Sequence, residues 1–180
     1  MRRRRVQLAA VVAVLGLLGV VAAAVAGGGS RDVREHLRGY EEVPAVSSTG
    51  SGEFRARIRD TAIEYRLSYR DLEGDVLQAH IHLGQERVNG GISAFLCSNL
   101  TGDQAPPPGT QACPGPRAGT VSGSIEAADV IGPAGQGIAP GEYAELLRAI
   151  RAGVTYANVH TDKHPGGEIR AQLDRGHRNR

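Results

Sequence analysis

Phe54-Arg55-Ala56-Arg57-Ile58-Arg59-Asp60-Thr61-Ala62-Ile63-Glu64-Tyr65-Arg66-Leu67-Ser68-Tyr69-Arg70 sets the fold class. Apolar Phe54, Ala56 and Ile58 alternate with Arg55, Arg57 and Arg59. Ile63, Tyr65, Leu67 and Tyr69 then alternate with Glu64, Arg66, Ser68 and Arg70. A period of two puts one set on a buried face and the other in water, which is a strand and not a helix. Asp60-Thr61 is short enough to turn one strand back on the other as a hairpin. The arginines suggest a nucleic-acid patch, but Glu53, Asp60 and Glu64 flank them, which reads as a solvated strand face.

The rhythm continues on both sides. Strands are expected at Val33–Leu37, Val76–Leu83, Ile92–Cys97, Thr120–Ile125, Val154–Thr161 and Glu168–Leu173. Turn signals separate them at Leu72-Glu73-Gly74-Asp75, Asn89-Gly90-Gly91 and Pro165-Gly166-Gly167. One stretch breaks the pattern. Tyr143, Leu146, Leu147 and Ile150 recur at helical spacing, with Pro140 before them and Gly153 after, so a short helix is expected over 141–152. Short strands with a single helix predict an all-β, antiparallel sandwich or barrel.

The N-terminus reads as a targeting segment. Arg2 to Arg5 precede the apolar run Val6–Ala26, which ends in Ala24-Val25-Ala26. That order is a secretory signal peptide. The apolar run is also long enough to stay as a membrane anchor, so residues 1–26 are expected to be one or the other. In both cases the rest of the chain is exported, and membrane contact is confined to residues 6–26. Residues 27–32 read as a linker, 33–174 as one domain, and 175–180 as a basic tail. The formal charge of +2 over 180 residues misleads. Residues 1–26 hold four of the 21 basic and none of the 19 acidic residues, so the exported part carries two more acids than bases. Nucleic acid is therefore not expected as a partner, and no G-x-G-x-x-G or P-loop follows a strand.

The chain has two cysteines, Cys97 and Cys113. In an exported protein these are expected to pair, closing a loop that contains Pro106-Pro107-Pro108-Gly109. Their spacing is not C-x-x-C, which argues against a redox or metal-binding pair.

Histidines supply the remaining chemistry. In Gln78-Ala79-His80-Ile81-His82 the two imidazoles are two residues apart on a strand and share a face. In Asn158-Val159-His160-Thr161-Asp162-Lys163-His164, Asn158 and His160 share a face, and His164 lies past the strand end. If the two strands are neighbours, His80, His82 and His160, with His164 nearby, form a candidate site for copper or zinc. The alternative is that these rings hydrogen-bond a carbonyl or Glu168 in a polar seam. Asn158, Glu168 and Arg170 are the candidates to orient the imidazoles across a hairpin, or simply to knit the fold. His36 and His177 read as surface residues.

Three motifs together resemble one family. Leu37-Arg38-Gly39-Tyr40-Glu41-Glu42-Val43-Pro44, Ala79-His80-Ile81-His82-Leu83-Gly84, and Tyr156-Ala157-Asn158-Val159-His160-Thr161 followed by Pro165-Gly166-Gly167-Glu168-Ile169-Arg170 resemble, in this order, the motifs of chordin-type (CHRD) domains. The resemblance spans about Val33 to Leu173. It implies an extracellular all-β domain of immunoglobulin-like or sandwich character, similar to the stand-alone exported bacterial form. It also implies a binding role toward an extracellular protein or cell-envelope ligand. Ala171 departs from the family's Gly, His164 lies outside the pattern, and Ser98–Ala118 reads as an insertion. His80-Ile81-His82 with the later Val159-His160 also resembles the copper-ligand strands of Cu,Zn superoxide dismutases, without the bridging histidine and zinc cluster. No nucleophile–base pattern is legible. Glu41, Glu42, Asp71, Glu73 and Asp75 read as turn solvation and not as paired glycosidase acids. The sequence thus favours a non-enzymatic binding module, with a histidine-bound copper or zinc, redox-active or not, as the alternative.

Overall fold

The computed structural model describes residues 31–173. The expected signal or anchor segment, most of the expected linker, and the C-terminal residues 174–180 with His177 lie outside them. Eight strands form one antiparallel sheet: β1 (Arg31–Arg38), β2 (Ser51–Ile58), β3 (Ile63–Arg70), β4 (Val76–Leu83), β5 (Gly91–Ser98), β6 (Gly119–Ile125), β7 (Thr155–Thr161) and β8 (Ile169–Gln172). Their order is β5-β4-β7-β8-β1-β2-β3-β6. The sheet rolls until its two edges approach, so the expected sandwich or barrel is realised as a nearly closed barrel. Arg31 and Asp32, expected in the linker, belong to β1, because they pair with Ile58 and Arg57 across the ladder.

The period-two segments behave as their sequence requires. In β3, Ile63, Tyr65, Leu67 and Tyr69 are buried while Glu64, Arg66 and Arg70 are exposed. They pack inside the barrel with Phe54, Ile58, Leu37, Ala79, Ile81, Val159 and Ile169. Removing such apolar surface from water is the main favourable term in folding. The hairpin pairs Ile58 with Ile63, as the short turn requires. The helix, α1 (Tyr143–Ala152), presents Tyr143, Leu146, Leu147 and Ile150 to the core. Gly153 stops it in the left-handed region (φ 73°) and caps the carbonyls of Ala149 and Ile150. Tyr143 donates to the carbonyl of Arg59 (2.7 Å) and Arg151 pairs with Asp60 (3.1 Å), which seats α1 against the β2–β3 turn.

Two strands depart from the one-face-wet expectation. All seven residues of β7 are buried, and so are His80 and His82 in β4. The outward face of these strands is roofed. Asn158 donates to Glu42 (2.5 Å), Asn89 to the carbonyl of Val43 (2.8 Å), and Arg170 to Asn89 and to the carbonyls of Gln85 and Val88. Segments 39–44 and 85–90 therefore cover what periodicity alone marks as solvent-facing.

Cys97 and Cys113 form a disulfide across 16 residues of chain. Asn99 fastens the same loop: its amide donates to the carbonyls of Val76 and Cys113, and its oxygen accepts from the Cys113 N–H (2.9 Å). Gln111 reaches Tyr65 Oη (2.8 Å) and so ties the loop to β3. Replacing both cysteines by alanine is expected to cost about 3 kcal/mol, from the added freedom of the unfolded loop. Urea unfolding checks the value, and thiol titration of the native chain should find no free thiol without reductant.

Candidate metal centre

Antiparallel pairing of β4 with β7 sets His80 opposite Asn158, His82 opposite Tyr156, and Gln78 opposite His160. The three imidazoles lie on the roofed outer face. Ring centroids are separated by 5.3 Å (His80–His82), 5.0 Å (His80–His160) and 5.8 Å (His82–His160). One ring nitrogen from each falls within 4.8 Å of the others. His80 is 0 % exposed, His82 7 % and His160 8 %.

Hydrogen bonds assign the tautomers. A carbonyl only accepts, so His82 donates from Nδ1 to the carbonyl of Gly90 (3.0 Å) and His160 donates from Nδ1 to the carbonyl of Pro165 (2.9 Å). Both rings then hold their Nε2 lone pairs free of a proton. His80 Nδ1 lies 3.2 Å from His160 Nε2 and donates to it. That leaves His80 Nε2 and His82 Nε2 buried with no hydrogen-bond partner. Unpaired buried polar atoms cost about 1–3 kcal/mol each, so two in one pocket ask for an explanation.

The electrostatics match. Burial drives the His80 ring down to about 2 and the His82 ring to about 4, with the neighbouring imidazoles pushing the same way, and burial also lowers His160. All three are neutral lone-pair donors at neutral pH, the form in which imidazole binds metal. His80 Nδ1 and His160 Nε2 are 3.2 Å apart, so an ion seated on His160 Nε2 would displace the hydrogen bond between the two rings. Carbonyl acceptors on Nδ1 of His82 and His160 are the partners that usually orient metal-binding histidines.

Aromatic and cationic groups wall the pocket. Phe95 meets His80 edge-on at 4.4 Å. Tyr156 stacks on His82 at 4.7 Å, its plane tilted by 2°. The guanidinium of Arg170 sits 3.4 Å from the Tyr156 ring centre. Because Arg170 also holds three acceptors of segment 85–89, it fixes the approach to Gly90, whose carbonyl takes the His82 proton. Glu42 is buried beside them: burial pushes its carboxyl up to about 8, against the Arg170 charge and the Asn158 hydrogen bond, which pull it down.

The other sequence candidates go elsewhere. His164 is apart from the three. Its backbone N–H bonds Thr161 Oγ1 (3.1 Å), and its Nε2 faces Glu73 at 3.9 Å. It follows the strand end, where the chain has already turned away from the outer face. Glu168 does not orient an imidazole; it accepts from Ser48 (2.7 Å), Thr161 (2.8 Å) and the N–H groups of Glu73 (2.7 Å) and Gly74 (3.3 Å). It is a clamp joining two loops to the end of β7. Asn158 faces Glu42, and Arg170 faces Tyr156 instead of a histidine. Sequence reasoning passed over Phe95 and the carbonyls of Gly90 and Pro165, and read Glu42 as turn solvation. Backbone carbonyls carry no residue signature, and Glu42 reads like any acid beside a turn.

A family model described as the CHRD domain matches residues 33–173. No curated protein matches the chain. No solved structure matches it.

Two substitutions probe the walls of this pocket. Below the ordinary carboxylate range Glu42 is protonated whether the chain is folded or not. Between 4.5 and about 8 the folded state keeps a proton that the unfolded state releases, so stability is lost as pH rises through that window. Glu42→Gln, which mimics the neutral acid, should therefore match the parent melting temperature near pH 4 and exceed it by a few degrees at pH 9. Glu168→Gln turns one acceptor into a donor facing donors, and is expected to cost about 2–3 kcal/mol in urea unfolding at neutral pH.

Proposed function

The chain belongs to the CHRD domain family, and on that footing we propose that it is an exported binding module whose ligand is a copper or zinc ion held by His80, His82 and His160. The observation that carries the metal reading is the pair of orphaned, buried nitrogens, His80 Nε2 and His82 Nε2, in a cluster whose ligand atoms lie within 4.8 Å of one another. A fully hydrogen-bonded polar seam would give both nitrogens a partner. Three neutral imidazoles without thiolate or carboxylate suit zinc and copper, and not magnesium or calcium, which take oxygen ligands. Copper would supply a one-electron couple and zinc would not.

The family and the disulfide are both typical of extracellular proteins, and the N-terminal Arg2–Ala26 pattern supports export. Among the described residues no helix is long and apolar enough to cross a membrane. Nothing in the pocket supplies a nucleophile beside a base, so the reading is a module that binds and not one that turns over a substrate.

Thermal unfolding with added Cu²⁺ or Zn²⁺ tests the site. A metal at a hundredfold excess over its dissociation constant adds about 2.7 kcal/mol, a rise of roughly 6–10 °C for a domain of this size. His82→Gln and His160→Gln should abolish the increment whatever they do to the metal-free melting temperature. An unchanged melting temperature with both metals, together with no copper or zinc in the purified untagged protein, would remove the reading.

A further inference from the structure

We propose that the exposed face of β1, β2, β3 and β6 is a second binding site, independent of the histidine cluster, and that its ligand is a linear acidic polysaccharide. The strand register carries the argument. Arg34 pairs with Arg55 and Arg55 with Arg66, so three guanidinium side chains leave the same face in one row across three strands. Four residues further along β1, Arg38 pairs with Ser51 and Ser51 with Arg70, giving a second row. Between them runs His36–Glu53–Ser68–Thr120. Two arginine rows thus border a polar floor in which the hydroxyls of Ser68 and Thr120 follow His36 and Glu53.

Charge on this face is not balanced. Glu53 alone serves both Arg34 (2.6 Å) and Arg55, with His36 4.0 Å away. Arg38 and Arg66 have no ion-pair partner among the described residues, and Arg70 touches only Asp71, at 4.0 Å. The next row is different: Arg57 pairs with Asp32 (3.3 Å) and Arg59 with Glu64 (3.4 Å). Like charges directly opposite one another destabilise a sheet. Solvation of separate strand faces explains why arginines are exposed; it does not explain why they are stacked in register with one shared carboxylate.

A groove of about 820 Å³ runs over this surface, bordered by Arg38 and Arg70 and reaching His36, Glu53, Ser68 and Thr120. Neighbouring strands are ~4.8 Å apart and the two arginine rows ~13 Å apart along the strands. That frame accepts an extended chain lying across the strands, with guanidiniums on both sides to fork carboxylate or sulfate groups and hydroxyls beneath to meet those of a sugar. No Phe, Tyr or Trp leaves either row, so the face lacks the stacking platform that single-stranded nucleic acid uses.

Binding of the purified full chain to dextran sulfate, polygalacturonate, uncharged dextran and a single-stranded oligonucleotide decides it. Dextran sulfate and polygalacturonate separate sulfate from carboxylate as the preferred acid. At least one should bind, more weakly as salt rises, and uncharged dextran should not. Arg38→Glu/Arg70→Glu should weaken binding by about tenfold or more with an unchanged melting temperature, and Glu53→Gln should tighten it. Arg87→Glu/Arg148→Glu, remote from these rows, should leave it unaltered. The proposal is overturned if neither acidic polysaccharide binds, if the remote pair weakens binding equally, or if the oligonucleotide binds more tightly than both.

Discussion

The pairing of β4 with β7 is the contact on which the rest of the molecule turns. It brings His80, His82 and His160, 80 residues apart in sequence at their furthest, onto one patch of sheet. The inward residues of the same strands, Ala79, Ile81, Ala157 and Val159, are fully buried and fix the register. A slip by one residue would send every imidazole into the apolar interior and every apolar side chain outward. The core therefore enforces the histidine geometry.

The roof over that outer face is what turns a polar surface into a pocket. Arg170 is the central strut. It is 1 % exposed, yet its guanidinium is not held by a carboxylate contact; it lies on Tyr156 and donates to Asn89 and two backbone carbonyls. Arginine suits this use, because its planar head stacks on a ring and still offers donors in its own plane. Glu42 lies within reach of the Arg170 charge and accepts from Asn158. Between them the two groups exclude water from three imidazoles and keep those rings uncharged. Glu168 does comparable work at the end of β7, where one carboxylate gathers loops 48–50 and 73–74.

Legibility followed the physics of each element. Strands with one wet face announced themselves: Phe54–Ile58 and Ile63–Arg70 lie where alternation puts them. The helix was legible from Tyr143, Leu146, Leu147 and Ile150 with Gly153 behind them. The three histidines were legible as candidates because two residues along a strand is the same face. His164 was set apart by its place past the strand end but was not excluded, since a turn of three residues can send a side chain either way. The covered face of β7 was illegible, because what roofs it, Glu42 and Arg170, is charged, and charge in a sequence reads as solvent.

Local rules, acting over a few residues, were enough for the sequence by itself to determine the all-β class, the hairpin, the single helix, the cysteine pairing expected of an exported chain and the family motifs. The meeting of β4 with β7, the tautomers set by the carbonyls of Gly90 and Pro165, and the clamping role of Glu168 were decided only in three dimensions. So was the alignment of Arg34, Arg55 and Arg66 in one row. Each depends on which strand lies beside which and in what register, and that is settled by how the whole sheet closes around its core, an outcome no local stretch of chain contains.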